Sequence, residues 1–320
     1  MAAGTREIRR RIKSVNSTRK ITRAMEMVAA SKMRRAVAAV LAIRPYAHTA
    51  WGMLTNLARA FEKYQTGLLE VREVKSICVI VITSNRGLCG GFNSHLLKKV
   101  VEQVERPTLL KINRAGTRRI DSSVPDEEIK IDFITVGKKG ATLVSKIGRN
   151  IIASFDELTY LPKMESVGAL AKLVMDDYQN KKYDKVVIAY TDYVSTIVQQ
   201  PKLRQILPIS KIDLEKQLAE MDVHSDEIGL KEAELEYKVE PDPQFVLTHI
   251  FPRLVEMQIY HAICESNASK ESARMMAMRN ATDAASDMVD GLTLAYNQIR
   301  QMGITQEIAE ISAGRAALES

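Results

Sequence analysis

The chain has 320 residues, 46% of them hydrophobic and 27% charged, the balance of a globular protein of one or two domains with a sizeable core. No apolar run approaches the roughly 18 residues that would cross a bilayer, which leaves only peripheral association with a membrane. The net charge of +7 is concentrated: residues 6–35 hold eleven Arg or Lys against Glu7 and Glu26, so the remainder is slightly acidic and the basic arm calls for an acidic partner.

Residues 5–62 contain one proline, Pro45, and one glycine, Gly52, among helix formers, and predict a helix bent near Pro45. At ~1.5 Å per residue it would reach ~80 Å, more than a small domain is wide. Ile8, Ile12 and Val15 mark one face, and Met33, Val37 and Val40 return to it. Between them, Ile21, Met25 and Val28 lie roughly 220° round the helix, while Arg19, Thr22 and Glu26 occupy the first face. A helix packed once has one stripe, so two apolar sides predict two different neighbours.

The middle of the chain alternates. Strands are predicted at 76–83, 108–112, 131–136, 185–191 and 204–209, with helices at 94–105, 138–149 and 165–180. That order predicts an α/β sandwich with a largely parallel sheet. Residues 211–240 are acidic and polar and read as an exposed connector. At 241–244, "PDPQ" restarts a helix, with Asp242 as cap and Pro243 in its first turn, and little stops it before the C-terminus. The division is therefore a helix over 1–62, a body over 63–240 and a helix over 241–320. Neither terminal helix would stand alone in water, so the two should pair as an antiparallel coiled coil.

The motifs exclude more than they nominate. The stretch "TSNRGLCGGFN" (83–93) joins an apolar strand to a helix, the layout of a phosphate-binding turn. Its glycines, Gly87, Gly90 and Gly91, fit neither GxGxxG nor GxxxxGK[ST], and Arg86 is its only cation. They read as residues permitting positive φ and close backbone packing. Cys78, Cys89 and Cys264 are far apart, no GxSxG occurs, and the five histidines are scattered, so no disulfide framework, nucleophile, metal or cofactor is nominated. For the basic arm, nucleic acid, an anionic membrane and an acidic protein surface are all live, although residues 1–45 offer no aromatic side chain for base stacking. An organelle presequence would not continue into so long a periodic helix.

Three passages together carry a resemblance. "EIRRRIKSVNSTRKITRAMEMVAASKMRRA" (7–36), "TSNRGLCGGFN" (83–93) and "ARMMAMRNATDAASDMVDGLTLAYNQIRQMGITQEIAEISAG" (273–314) closely resemble the γ subunits of F-type ATP synthases. The resemblance is weaker over 105–180 and 211–240. It implies an α/β fold class: a Rossmann-like globular body with a long antiparallel coiled coil of N- and C-terminal helices. It implies a non-catalytic rotor inside a ring of α and β subunits, above the c ring and beside ε, with ATP made on β and no nucleic acid bound. Proton flow through the c ring would turn the shaft, and the body turn would lie near ε and the c ring.

By the same resemblance, Met25 lies near the β contact and the late C-terminal helix, and Arg300, Gln301, Thr305, Glu307 and Glu310 belong to a polar set engaging α and β loops. Lys20 and Arg23, from the basic arm, join them as expected rotor–stator contacts. Ile308, Ile311 and Leu318 would sit in an upper bearing. Asn85 stands where many members carry Asp, and Arg315 where a small residue is usual; Arg315 should meet solvent or an acidic neighbour. The connector has no cysteine, so thiol switching there is excluded. The resemblance begins within the first ten residues, which favours the cytoplasmic face of a bacterial inner membrane over a mature organelle form.

Overall fold

The computed structural model describes residues 2–56, 67–107, 110–115, 118–159, 162–209 and 243–319. The acidic connector and the predicted end of the first helix lie outside the described residues. The chain divides into two compact units, Met1–Ser31 with Arg274–Ser320, and Lys32–Ala273. Both long helices contribute residues to each unit.

The first unit is built from the outer parts of α1 (Ala2–Asn56) and α5 (Pro243–Glu319). Along α1, Ile8, Ile12, Val15, Arg19, Thr22, Glu26 and Ala29 are buried or half-buried, alternating by four and three residues. Along α5, Met278, Thr282, Ala285, Val289, Leu292, Tyr296, Ile299 and Gly303 do the same. This is the heptad spacing of a coiled-coil seam. Thr282 Oγ1 donates to Thr22 Oγ1 at 2.8 Å and Arg19 reaches Ser286 Oγ at 3.5 Å, so the helices run antiparallel, paired where residue numbers add to about 304. The apolar face of α1 does not rotate; polar residues continue it. Ile21 and Val28, on the second side, remain 59% and 54% exposed.

The second unit holds a five-stranded sheet in the order β5-β4-β1-β6-β7. Its strands are β1 (Ser76–Ile82), β4 (Lys130–Val136), β5 (Ile151–Ser154), β6 (Lys185–Tyr193) and β7 (Gln199–Leu207). β1 pairs in parallel with β4 and β6, and β7 runs antiparallel to β6. Buried on both faces, β1 reads as an unbroken apolar run, as a central parallel strand must. Cys78, Ile80 and Ile82 pack with α4 (Met164–Gln179), with Phe251–Cys264 of α5 and with Val40 of α1. Ile77, Val79 and Val81 pack with α2 (Phe92–Glu105) and with Val144 of α3 (Lys138–Lys146).

The structure corrects several sequence expectations. Both long helices form as expected, α1 helical across Pro45 and α5 with Pro252 inside it, and the differences lie in three shorter elements. Of the strand expected at 108–112, residues 108–109 lie outside the described residues, and the described part is strand only from Ile112 onward. Leu110 lies in a turn, and a separate hairpin follows, β2 (Ile112–Ala115) and β3 (Arg118–Asp121). The carbonyls of Leu110 and Ile112 are taken by the buried Lys185 ammonium, so this backbone is satisfied without the main sheet. β7 begins five residues earlier than expected; its Pro201 is tolerated because β7 is an edge strand. α3 ends at Lys146, just before Gly148 at φ 68°.

Candidate functional site

The glycine turn sits at the C-terminal end of β1, where the strand order reverses between β1 and β6, the place at which open α/β sheets bind ligands. Here the chain fills it. Ser84 Oγ donates to the Arg86 carbonyl at 2.7 Å, and Asn93 Oδ1 accepts the Ser84 amide at 3.1 Å. Asn93 Nδ2 donates to Ser84 Oγ at 2.8 Å and to Cys89 Sγ at 3.3 Å. Cys89 and Phe92 are buried against Ala273 of α5. The Phe92 amide at the start of α2 already bonds to the Cys89 carbonyl at 3.2 Å, so a donor that a phosphate would need is in use.

The glycines divide by role. Gly90 has φ 55°, and the other left-handed residue is Leu88 at φ 62°, not a glycine. Gly91 precedes α2 at φ −81°, and a Cβ there would fall 2.5 Å from the His95 ring. A Cβ on Gly87 would meet nothing, so neither crowding nor positive φ demands glycine there. Arg86 is exposed. The resemblance placed this turn near ε and the c ring; within the chain its apolar side is covered by α5 at Ala273.

Asn85 acts locally. Its Oδ1 accepts the amide of Lys138, the first residue of α3, at 3.0 Å, and its Nδ2 donates to the Asp156 carbonyl at 2.8 Å. A carboxylate could keep the first bond but would set an acceptor against an acceptor at the second. The amide therefore suits this chain where Asp would not. The sequence singled out Asn85 but gave it no such role, and missed Asn93, whose partners become visible only once the turn closes.

The coil unit holds every residue expected to touch the stator. Lys20 and Arg23 are exposed, Arg23 lying 3.9 Å from Glu26, and Met25 is half-buried. Arg300, Gln301, Thr305, Glu307 and Glu310 are all exposed, with Gln306 donating to Glu310 at 2.8 Å. The coil register sets these groups at separate levels, roughly 24 Å apart between Lys20 and Arg300 at ~1.5 Å per residue. Met25 is thus about six helical turns from Arg300, so the two sets form separate belts. From Ile304 to Arg315 the helix is exposed almost throughout, including Ile308 and Ile311. Arg315 is exposed in the chain; the side chain of Leu318 lies outside the described residues. Among the described residues, no His, Cys, Asp or Glu cluster could hold a metal, and no helix is long and apolar enough to cross a membrane.

Known proteins account for this combination. A family model described as ATP synthase matches residues 4–318. An ATP synthase gamma chain from Legionella pneumophila is 36% identical, with 99% of this chain and 100% of that one covered. One from Chloroflexus aurantiacus is 40% identical over 99% of both chains. In the Euglena gracilis mitochondrial ATP synthase (OSCP, F1 and c-ring), a chain 17% identical matches with TM-score 0.62 over 99% of this chain and 95% of that one. A chain of the Tetrahymena thermophila mitochondrial ATP synthase central stalk and c-ring matches at 25% identity and TM-score 0.53, covering 82% of this chain and 99% of that one. The chain belongs to the ATP synthase γ-chain family, and as the central stalk of that rotary machine it bears no catalytic site of its own.

Proposed function

We propose that this chain couples proton flow through a membrane c ring to the binding-change cycle of an α/β ring, with ε beside its body. One observation carries the reading. The coil seam buries one face of the outer helices, while Ile21 and Val28 on α1 and Ile304, Ile308 and Ile311 on α5 stay exposed. Apolar surface of that extent on a paired shaft needs a sleeve. An α/β ring supplies one, and acidic loops lining it match the basic arm without nucleic acid. Attraction between exposed charges is screened over about 8–10 Å, so it biases orientation without locking rotation. Each catalytic site is then driven through states of different nucleotide affinity by the shaft face it meets.

Lys20, Arg23 and Met25 form the lower contact belt in this reading, and Arg300, Gln301, Thr305, Glu307 and Glu310 the upper one. The chain itself is peripheral to the membrane, on the cytoplasmic face of a bacterial inner membrane; a mature organelle form is the alternative. Purification from membranes should recover the chain with α and β subunits and their ATPase activity. Lys20→Glu with Arg23→Glu should lower gradient-driven ATP synthesis several-fold while leaving that recovery intact. Recovery of the chain without α and β, bound instead to nucleic acid at physiological salt, would reject the reading.

A further inference from the structure

The outer face of α3 carries a row of cations that the chain leaves without partners. From Gly137 to Phe155 the sequence holds Lys138, Lys139, Lys146 and Arg149 and no acidic residue. At about 100° per residue, Lys139, Thr142 and Lys146 fall within ~60° of one another round the helix, and all three are exposed. Gly140 and Val144 are buried on the far side, and Leu143 and Ile147 are half-buried. Arg149, also exposed, follows the helix end just past Gly148. Lys138 lies 3.9 Å from Asp156, but the side chains of Lys139, Lys146 and Arg149 make no ion pair or hydrogen bond among the described residues. Glu102 and Glu105 of the neighbouring α2 are exposed as well and pair with none of them.

Helix stability accounts for only part of the row. Lys146 and Arg149 lie at the C-terminal end, where the helix dipole favours cations; Lys139 lies in the first turn, where it disfavours them. Nor is the helix start an anion site. The amides of Lys138, Lys139 and Gly140 are already taken by Asn85 Oδ1, the Ser84 carbonyl and Thr83 Oγ1 at 3.0, 3.2 and 2.8 Å. A lipid surface is met by cations alternating with exposed apolar anchors, and the one uncharged member of this row is Thr142. A nucleic-acid strand calls for aromatic side chains to stack its bases, and residues 137–154 contain none. What remains is a set of carboxylates spaced as the cations are. Lys139 and Lys146 lie two turns apart, ~10.5 Å along α3, the separation of acids seven residues apart on a second helix.

We propose that the row of Lys139, Thr142, Lys146 and Arg149 is a docking surface for an acidic helix of another subunit of the complex, with carboxylates two turns apart facing Lys139 and Lys146. This rests on the rotor reading, in which other subunits lie beside the body. Ion pairs between exposed groups are weak and screened, so the contact holds at low salt and loosens as salt rises. Complementarity of this kind sets orientation more than affinity, and the row thereby fixes which side of the body the partner occupies.

A water-soluble carbodiimide joins an ammonium and a carboxylate in contact as an amide, with no spacer, and tests this on the whole purified complex. Peptide mass spectrometry should find Lys139 or Lys146 joined to an Asp or Glu of another subunit, with a yield that falls at least threefold in about 0.5 M salt. Reversing the row with Lys139→Glu, Lys146→Glu and Arg149→Glu, all at exposed positions, should release the linked subunit at half the parent's salt concentration or less. Links confined to carboxylates of this chain, or no link at either lysine, would overturn the proposal, as would release of every subunit at the parent's salt concentration. Binding of the isolated chain to phosphatidylglycerol vesicles that the triple variant loses would assign the row to lipid and overturn it too. Loss of the rotor reading looks different, because the parent chain would then fail to purify with α and β before any reagent is added.

Discussion

Between Phe251 and Ala273, α5 is buried on almost every side, whereas from Arg279 to Arg315 the same helix buries only Thr282 and Ala285 among its described side chains. The first stretch behaves as a core helix. Its small residues, "AICESNASKESA" (262–273), let several backbones approach it. The second is striped, with one covered face and polar or apolar residues left bare elsewhere. A substitution in the body half should therefore be felt by the chain itself. One in the coil half should be felt mainly by the assembly around it.

Phe251→Ala tests the body half most severely. The ring is fully buried in the core between sheet and helices, so about 3–5 kcal/mol of stability should be lost, measured by urea unfolding of the chain. A loss no larger than that of a coil substitution would break the comparison. Asp132 gives the body half a pH signature. Burial pulls its carboxyl up, but hydrogen bonds from Asn150, Tyr183 and Lys130 outweigh this and hold it below the usual range. With the folded value lower than the unfolded one, the contribution is full above the unfolded value and fades as pH falls through the folded one. Asp132→Asn should cost about 1–3 kcal/mol at neutral pH and flatten the acid limb of the stability–pH curve.

The coil half should respond less. Thr282→Val removes the bond to Thr22, whose hydroxyl retains the Arg19 carbonyl at 3.0 Å, so thermal unfolding should report about 0.5–1.5 kcal/mol. Ile311→Ser, at a side chain 73% exposed, should leave the chain's stability within about ±0.5 kcal/mol. It should nevertheless lower ATP synthesis by the assembled complex, measured against matched ATPase content. Unchanged synthesis would mean that the bare half is merely solvated.

The two halves also differ in how far the sequence revealed them. The strand before the glycine turn, the turn itself and both long helices were legible, because unbroken apolar runs and the absence of breakers are local signals. The seam was not. Arg19, Thr22 and Glu26 look like solvated positions by hydropathy, and only Thr282 and Ser286, some 260 residues away, give two of them partners. The β2–β3 hairpin was missed for a similar reason, since Lys185 satisfies the backbone beside it from 73 residues away. Leu88 holds a left-handed conformation that composition assigns to its glycine neighbours. The proposed contact belts were legible only through the family resemblance, because exposed polar residues on a helix have no local mark of purpose.

The alternating four-and-three seam turns the shaft into a ruler with fixed graduations. Because paired positions add to about 304, deleting 8–14 together with 290–296 would remove one repeat from each helix and leave every remaining partner in place. The coil would shorten by ~10.5 Å, seven residues at ~1.5 Å each. Deleting four residues from one helix alone would shift all later partners at once. Shafts on this plan can therefore change length in whole repeats, taken from both helices together, and not continuously.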